Sequence, residues 1–178
     1  GKQYVYLETL GGGMGGRATK DGKDGVQVNI TNTSNLPVEA IEMEYPLRVE
    51  DYALIEDSGG AGTHRGGMGI RRSIRPVGHM CEFNGVGERF RHQPWGIFGG
   101  TSGAQGAFHI ETHDVEKVSL TSKASRVKLW PENIVVISTP GAGGYGTPKN
   151  RTKDALRQDL ASGKFTEDFL NKHYKNNT

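Results

Sequence analysis

Glycine makes up 27 of the 178 residues, and most of it is bunched rather than scattered. It gathers in four knots: Gly11–Gly16, Gly59–Gly69, Gly96–Gly106 and Gly141–Gly146. A residue without a β-carbon takes positive φ at no steric cost and lets a second backbone or a ligand come close. Each knot adjoins an apolar, β-branched run, so the chain reads as strands joined by loops of unusual backbone geometry. The expectation is a set of φ-positive corners where main-chain amides converge on a cavity or a neighbouring polypeptide.

Between the knots the strand signals are short and numerous. In Val38–Tyr45, Ile41, Met43 and Tyr45 alternate with Glu42 and Glu44, the period of a half-buried strand whose glutamates face solvent. Strands are also predicted at Gln3–Leu10, Val26–Ile30, Tyr52–Glu56, Gly69–Arg75, Met80–Phe83 and Gly87–Phe90. The series continues with Trp95–Phe98, Ala107–Glu111, Val115–Leu120, Arg126–Trp130 and Ile134–Thr139. A turn with proline at its second position joins the last two through Trp130–Asn133. Such spacing predicts a mainly β body, sandwich or barrel-like, over residues 1–149. The strand at Gln3, with no cap before it, reads as part of something larger or of a subunit that pairs with a partner.

From Asn150 helix formers replace glycine, and residues 150–178 read as a helical tail packed on the β body. Asp154–Ala161 places Ala155, Leu156 and Leu160 on one face, and Gly163 stops it. Thr166 then caps a second helix that carries Phe169, Leu170 and Tyr174.

Charge excludes some classes. Twenty-two basic and 20 acidic side chains give a formal +2, so no nucleic-acid face is expected. No apolar stretch approaches a membrane span. The lone Cys81 rules out an internal disulfide and points to a reducing, cytoplasmic setting.

Motifs for known chemistries are weak. Gly11/Gly13/Gly16 and Gly141/Gly143/Gly146 match G-x-G-x-x-G, but neither runs from a strand straight into a helix, as a dinucleotide site requires. No P-loop occurs. His109, Glu111 and His113 alternate on one strand face at a spacing able to hold a metal, yet they read more simply as the wet side of an amphipathic strand. Cys81, between Met80 and Glu82-Phe83, reads as an inert thiol. Thr31–Glu39 is dense in hydroxyls and amides, fit either to cap strands or to line a pocket for an amide-like substrate.

Motifs in order along the chain resemble the hydantoinase B/oxoprolinase family: Tyr6–Gly13 with Gly15, Asp24-Gly25-Val26, Thr31-Asn32-Thr33 with Asn35 and Pro37-Val38-Glu39, and Glu44–Glu50. The series goes on through Asp57–Gly62, Arg65–Gly69, Arg89-Phe90, Pro94-Trp95-Gly96, Gly99-Gly100 and Thr139–Gly146, and the closing helices match the family's tail. Members are much longer, so the resemblance implies the C-terminal part of a larger subunit. It also implies a hydantoinase A-type partner that carries ATP and phosphorylates a carbonyl oxygen. The product is the ATP-dependent opening of a hydantoin, 5-oxoproline or lactam; related members carboxylate ketones, and a role confined to subunit assembly is the third reading. No cofactor is expected on this segment, ATP and a divalent metal being implied for the full complex, and no metal site is assigned. An activated amide oxygen leaves negative charge that backbone N–H groups stabilise. Gly12, Gly13, Met14 and Gly15, with Asn32 and Thr33, are therefore expected to shape a pocket for the substrate, an oxyanion or a phosphoryl group, with Arg17 balancing charge.

Overall fold

In the computed structural model, residues 3–28, 31, 33–112 and 117–175 are described. The elements run α1 (Val38–Glu44), β1 (Leu47–Leu54), β2 (Ile70–Pro76), β3 (Cys81–Val86), β4 (Ala107–Glu111), β5 (Lys117–Leu120), β6 (Lys123–Leu129), β7 (Ile134–Ser138), α2 (Lys153–Ala161) and α3 (Glu167–His173). Five strands form one antiparallel sheet in the order β1-β2-β7-β4-β5, and β3 pairs with β6 in a separate ribbon. The fold is mainly β, as the strand spacing predicts.

One side of the body is built from side chains. Ile41 of α1, Leu47 of β1, Ile74 of β2, Leu129 of β6 and Val135 of β7 are buried together. Ribbon, helix and the extended segment from Tyr4 to Tyr6 thus cover one face of the large sheet. Residues directly opposite each other in a ladder share a face. Arg72 pairs with Ile137, and Ile74 with Val135, so Arg72 lies on this apolar face.

The other side is built from backbone. Gly13 N–H donates to Pro140 O at 3.0 Å and Gly16 N–H to Gly143 O at 2.9 Å, a step of three residues on both segments. The same step recurs in Gly22→Arg65 and Gly25→Met68, at 2.8 and 2.9 Å. It recurs with reversed direction in Ala142→Gly67 and Tyr145→His64, at 3.0 and 2.8 Å. A β ladder alternates every second residue, whereas a three-residue step is the periodicity of an extended threefold helix with no internal hydrogen bonds. Parallel and antiparallel segments of that kind therefore cross-link sideways into a bundle.

The expected φ-positive corners are mostly not there. Among the glycines of the four knots only Gly99 and Gly146 have positive φ, with Phe98 beside Gly99. Glycine is required instead because neighbouring backbones touch. A Cβ on Gly13 would lie 2.1 Å from Gly67 O, and one on Gly66 or Gly141 only 1.8 Å from a carbonyl oxygen.

Four strand expectations fail outright. Val38–Glu44 is a helix, with Ile41 fully buried and Met43 87% exposed. Ile41 and Tyr45 stand four apart on one helical face, so a pattern that reads as period two also satisfies the helix. Gln3–Leu10 alternates between exposed and half-buried residues without joining a sheet. Gly87–Phe90 and Trp95–Phe98 form no strand, and Ile97 makes an isolated bridge to Tyr145. Val26 likewise only bridges Gly12, and residues 29–30 lie outside those described, as do 115–116 ahead of β5.

The tail matches its local signals. Thr152 and Thr166 accept from the N–H groups of Ala155 and Phe169, and Gly163 closes α2 with φ 65. Leu156, Phe165, Leu170 and Tyr174 bury against Ala61 and Met68 of the bundle. A buried ionic clasp completes that junction. Asp159 of α2 takes Arg65 Nε at 3.0 Å and Arg151 Nε at 2.9 Å. Arg65 also binds Asp24 at 2.7 Å, and Arg151 holds both oxygens of Asp21 at 2.8 Å.

Candidate functional site

Where the bundle meets β1, a cleft of about 440 Å³ opens among Gly25, Val26, Gln27, Thr33, Ser34, Asn35 and Tyr52. That size suits a small-molecule ligand. Its walls come from the hydroxyl- and amide-rich segment, which is pinned at several points. Thr33 Oγ1 donates to Thr31 O at 3.0 Å, Gln27 Nε2 to Thr9 O at 2.7 Å, and Asn35 Nδ2 to the Tyr52 hydroxyl at 2.6 Å. Pro37 then ends the loop as the residue that precedes α1.

Beneath Tyr52 sits a buried ion pair. Arg72 is wholly buried, and its Nη1 donates to both Glu8 oxygens at 2.8 and 2.7 Å. Glu8 also accepts from Leu36 N–H at 2.8 Å and from the Tyr6 hydroxyl. The guanidinium carbon stands 3.9 Å from the Tyr52 ring centroid. One arginine therefore ties the N-terminal segment, the loop and β1 together, and its charge is cancelled locally. Burial, reinforced by Glu8, raises the Tyr6 pKa well above that of an ordinary phenol, so this hydroxyl keeps its proton.

The lining is uncharged and rich in hydrogen-bonding groups. Asn35 Oδ1 is buried without a partner among the described residues. Such an acceptor suits an N–H supplied by a ligand. The described lining offers hydroxyls and amides, groups suited to recognising and orienting a polar ligand.

The predicted site residues divide. Thr33 lines the cleft, and Gly12 is one bond away through Val26 N–H→Gly12 O at 2.8 Å. Gly13 and Met14 point their amides elsewhere, to Pro140 O at 3.0 Å and Lys23 O at 2.9 Å. Neither N–H is left for an anion. Arg17 Nη2 caps its own loop on Asp21 O at 3.2 Å, well inside the glycine side. Asn32 lies outside the described residues.

Tyr52, Gln27 and the Arg72–Glu8 pair escape a reading by motif. Burial of an arginine by a glutamate 64 positions away leaves no local trace. The clasp did leave one: Asp21-Gly22 and Asp24-Gly25 repeat at three residues, the period of the bundle. His109 and Glu111 do share a face and meet at 3.0 Å, while His113 lies outside the described residues. Among the described residues no three histidine, cysteine or acidic side chains are grouped to hold a metal ion. The closest gathering, Asp21, Asp24 and Asp159, is already neutralised by Arg65 and Arg151 and does not fit a divalent cation. No helix among those residues is long and apolar enough to cross a membrane.

Comparison with known proteins places this arrangement in context. The family model described as Hydantoinase B/oxoprolinase matches residues 1–148. An uncharacterized protein of Methanocaldococcus jannaschii is 43% identical over 175 residues, 98% of this chain and 31% of its own. The 5-oxoprolinase 1 of Arabidopsis thaliana is 39% identical over 147 residues, 81% of this chain but 11% of that protein. The crystal structure of an ATP-dependent caprolactamase from Pseudomonas jessenii superposes with a TM-score of 0.82 and 26% identity. That match covers 95% of this chain and 30% of the caprolactamase chain.

Proposed function

Because this chain belongs to the hydantoinase B/oxoprolinase family, we propose that it forms part of a subunit that opens a cyclic amide at the expense of ATP. The observation that carries the reading is its superposition over nearly its full length on the caprolactamase. The uncharged cleft at Asn35 and Tyr52 supplies matching chemistry. A lactam, hydantoin or oxoproline ring presents at least one N–H donor beside a carbonyl acceptor on a compact frame. Asn35 Oδ1 accepts the ring N–H, and the hydroxyl of Tyr52 or Thr33 donates to the carbonyl oxygen.

Activation of that oxygen by phosphate is assigned to a hydantoinase A-type partner, and the divalent metal to the assembled enzyme beyond this segment. The residues described here bind and orient the ring, and the glycine bundle holds the cleft rigid. A cytoplasmic, hetero-oligomeric enzyme is the setting this reading implies.

The test is substrate-dependent ATP turnover by the reconstituted two-subunit enzyme with 5-oxoproline, a hydantoin and caprolactam. Asn35→Ala is expected to raise KM by roughly tenfold through one lost ligand hydrogen bond, with assembly unchanged. An unaltered KM would remove the cleft from the substrate path. Turnover that requires bicarbonate and a ketone would replace the hydrolase by a carboxylase, and hydrolysis by the isolated chain would remove the need for a partner.

A further inference from the structure

The two faces of the large sheet differ in character. His109 pairs with Val136 and Ser119, whereas Phe108 pairs with Ile137 and so shares the apolar face with Arg72. His109 therefore stands on the face away from the main core, where a histidine is ordinarily wet. Its side chain is nonetheless only 8% exposed. It lines a second cleft, of about 750 Å³, between β4, β5 and the segment that runs from Phe90 to Gly106.

This second cleft is chemically unlike the first. Arg91, Lys117 and His109 line it, hydroxyls come from Ser119, Ser122 and Ser138, and no carboxylate does so among the described residues. Phe90 gives the cleft an aromatic wall, its ring backed at 4.7 Å by Phe108, whose side chain lies on the core face of the sheet. Glu111 is the acid beside His109 among the described residues; its side chain is half exposed and its Oε1 meets His109 Nε2 at 3.0 Å. The other ring nitrogen has no hydrogen bond among the described residues.

We propose that this cleft is a binding site for a small organic carboxylate. The two cations attract the anion, the hydroxyls complete its hydrogen bonds, and the aromatic wall takes the hydrocarbon part. An inorganic oxyanion has no use for that wall. Burial, then the Lys117 and Arg71 charges, hold the His109 pKa low against Glu111, which raises it. The free ring is thus neutral near pH 7 and donates through Nε2 to Glu111. A bound carboxylate favours the protonated ring, with Nδ1 as a new donor, and raises that pKa. Lys117 and Arg71 are the cations that act on the ring and Glu111 is its counter-charge, while Arg91 lines the same cleft. Binding accordingly tightens as the pH falls into the histidine range.

Opening a cyclic amide by hydrolysis creates a new carboxylate, so its product belongs to the class proposed for this cleft. That identification rests on the function proposed above, whereas the binding itself does not. Hexanoate, hexanamide and inorganic phosphate are titrated separately into the protein while the His109 ring signals are followed by NMR. Saturable shifts are expected with hexanoate and none with hexanamide. Lys117→Gln and Arg91→Gln, both on exposed residues, are each expected to weaken hexanoate about tenfold. A His109 pKa that rises on binding completes the expected result. Equal binding of hexanamide, hexanoate binding that neither variant weakens, or phosphate binding without hexanoate would each overturn the proposal. Because no turnover is measured, its failure is distinct from failure of the hydrolase reading.

Discussion

The sheet half and the glycine half of this protein solve the same packing problem with opposite materials. In the sheet half, Ile41, Ile74 and Val135 fill the space between layers with side chains. In the glycine half there is no space to fill, because carbonyls of one segment sit where the next would carry a Cβ. A side-chain core adjusts to a lost methylene by small shifts of its neighbours. A backbone core has no rotamers to adjust and is expected to be far less tolerant.

The sharpest test adds a single methyl group. Gly13→Ala places Cβ 2.1 Å from Gly67 O. We expect a loss of more than about 3 kcal/mol, beyond ordinary overpacking, because both colliding atoms belong to backbone. Urea unfolding followed by circular dichroism reads it. A fully folded variant with lost activity would instead restore a pocket role for Gly13 and break the comparison.

Next comes Asp159→Ala, which strips one carboxylate from Arg65 and Arg151 together. The two buried guanidinium groups keep Asp24 and Asp21 but lose the carboxylate that joins them, a defect worth about 3 kcal/mol. Limited proteolysis is expected to cut the tail first, and a tail that stays resistant would show that apolar contacts alone hold it.

Acid probes the same clasp without mutation. Burial pushes the Asp21 and Asp24 carboxyls up, but hydrogen bonds and charge from Arg151 and Arg65 outweigh it and leave both below the usual value of 3.8. The unfolded chain binds these protons more tightly, so their contribution is complete above 3.8 and fades as pH falls through it. Hydrogen exchange at stepwise lower pH is expected to release α2 and α3 before β2 and β7. Simultaneous release would mean the clasp does not distinguish the halves.

Ile74→Val provides the mild counterpart within the sheet half. It removes one methylene from the buried cluster and is expected to cost about 1 kcal/mol in thermal unfolding. The smallest effect is expected at Gly15→Ala. The nearest atom to its Cβ is Gly143 O at 3.9 Å, so stability is expected to hold within about 0.5 kcal/mol. A larger loss would mean that more than close approach constrains the first knot.

Much of the architecture was legible because its signals are local. Thr166 and Gly163 mark helix ends by bonds that span three or four residues, and they occur where expected. Ala107–Glu111 and Ile134–Thr139 were readable because β-branched and aromatic runs carry the two-residue period. Val38–Glu44 was misread because Ile41 and Tyr45 satisfy both periods at once. Of the candidate cleft, only Thr33 and the amide-rich loop around it were marked in advance. Tyr52, Gln27 and Arg72 converge on it only after segments distant along the chain have folded together.

The sequence by itself determined the mainly β body, the two capped helices of the tail, the family and the exceptional demand for glycine. It set that demand without its reason, since a missing Cβ looks the same whether it frees φ or admits a neighbour. Tertiary structure decided between these, because only the folded chain brings Gly67 O against Gly13 or Ser58 O against Gly141. It likewise decided that one cleft is neutral and the other cationic. Charge in a cavity depends on which side chains meet there and which are cancelled first, and those pairings are contacts between segments far apart in the sequence.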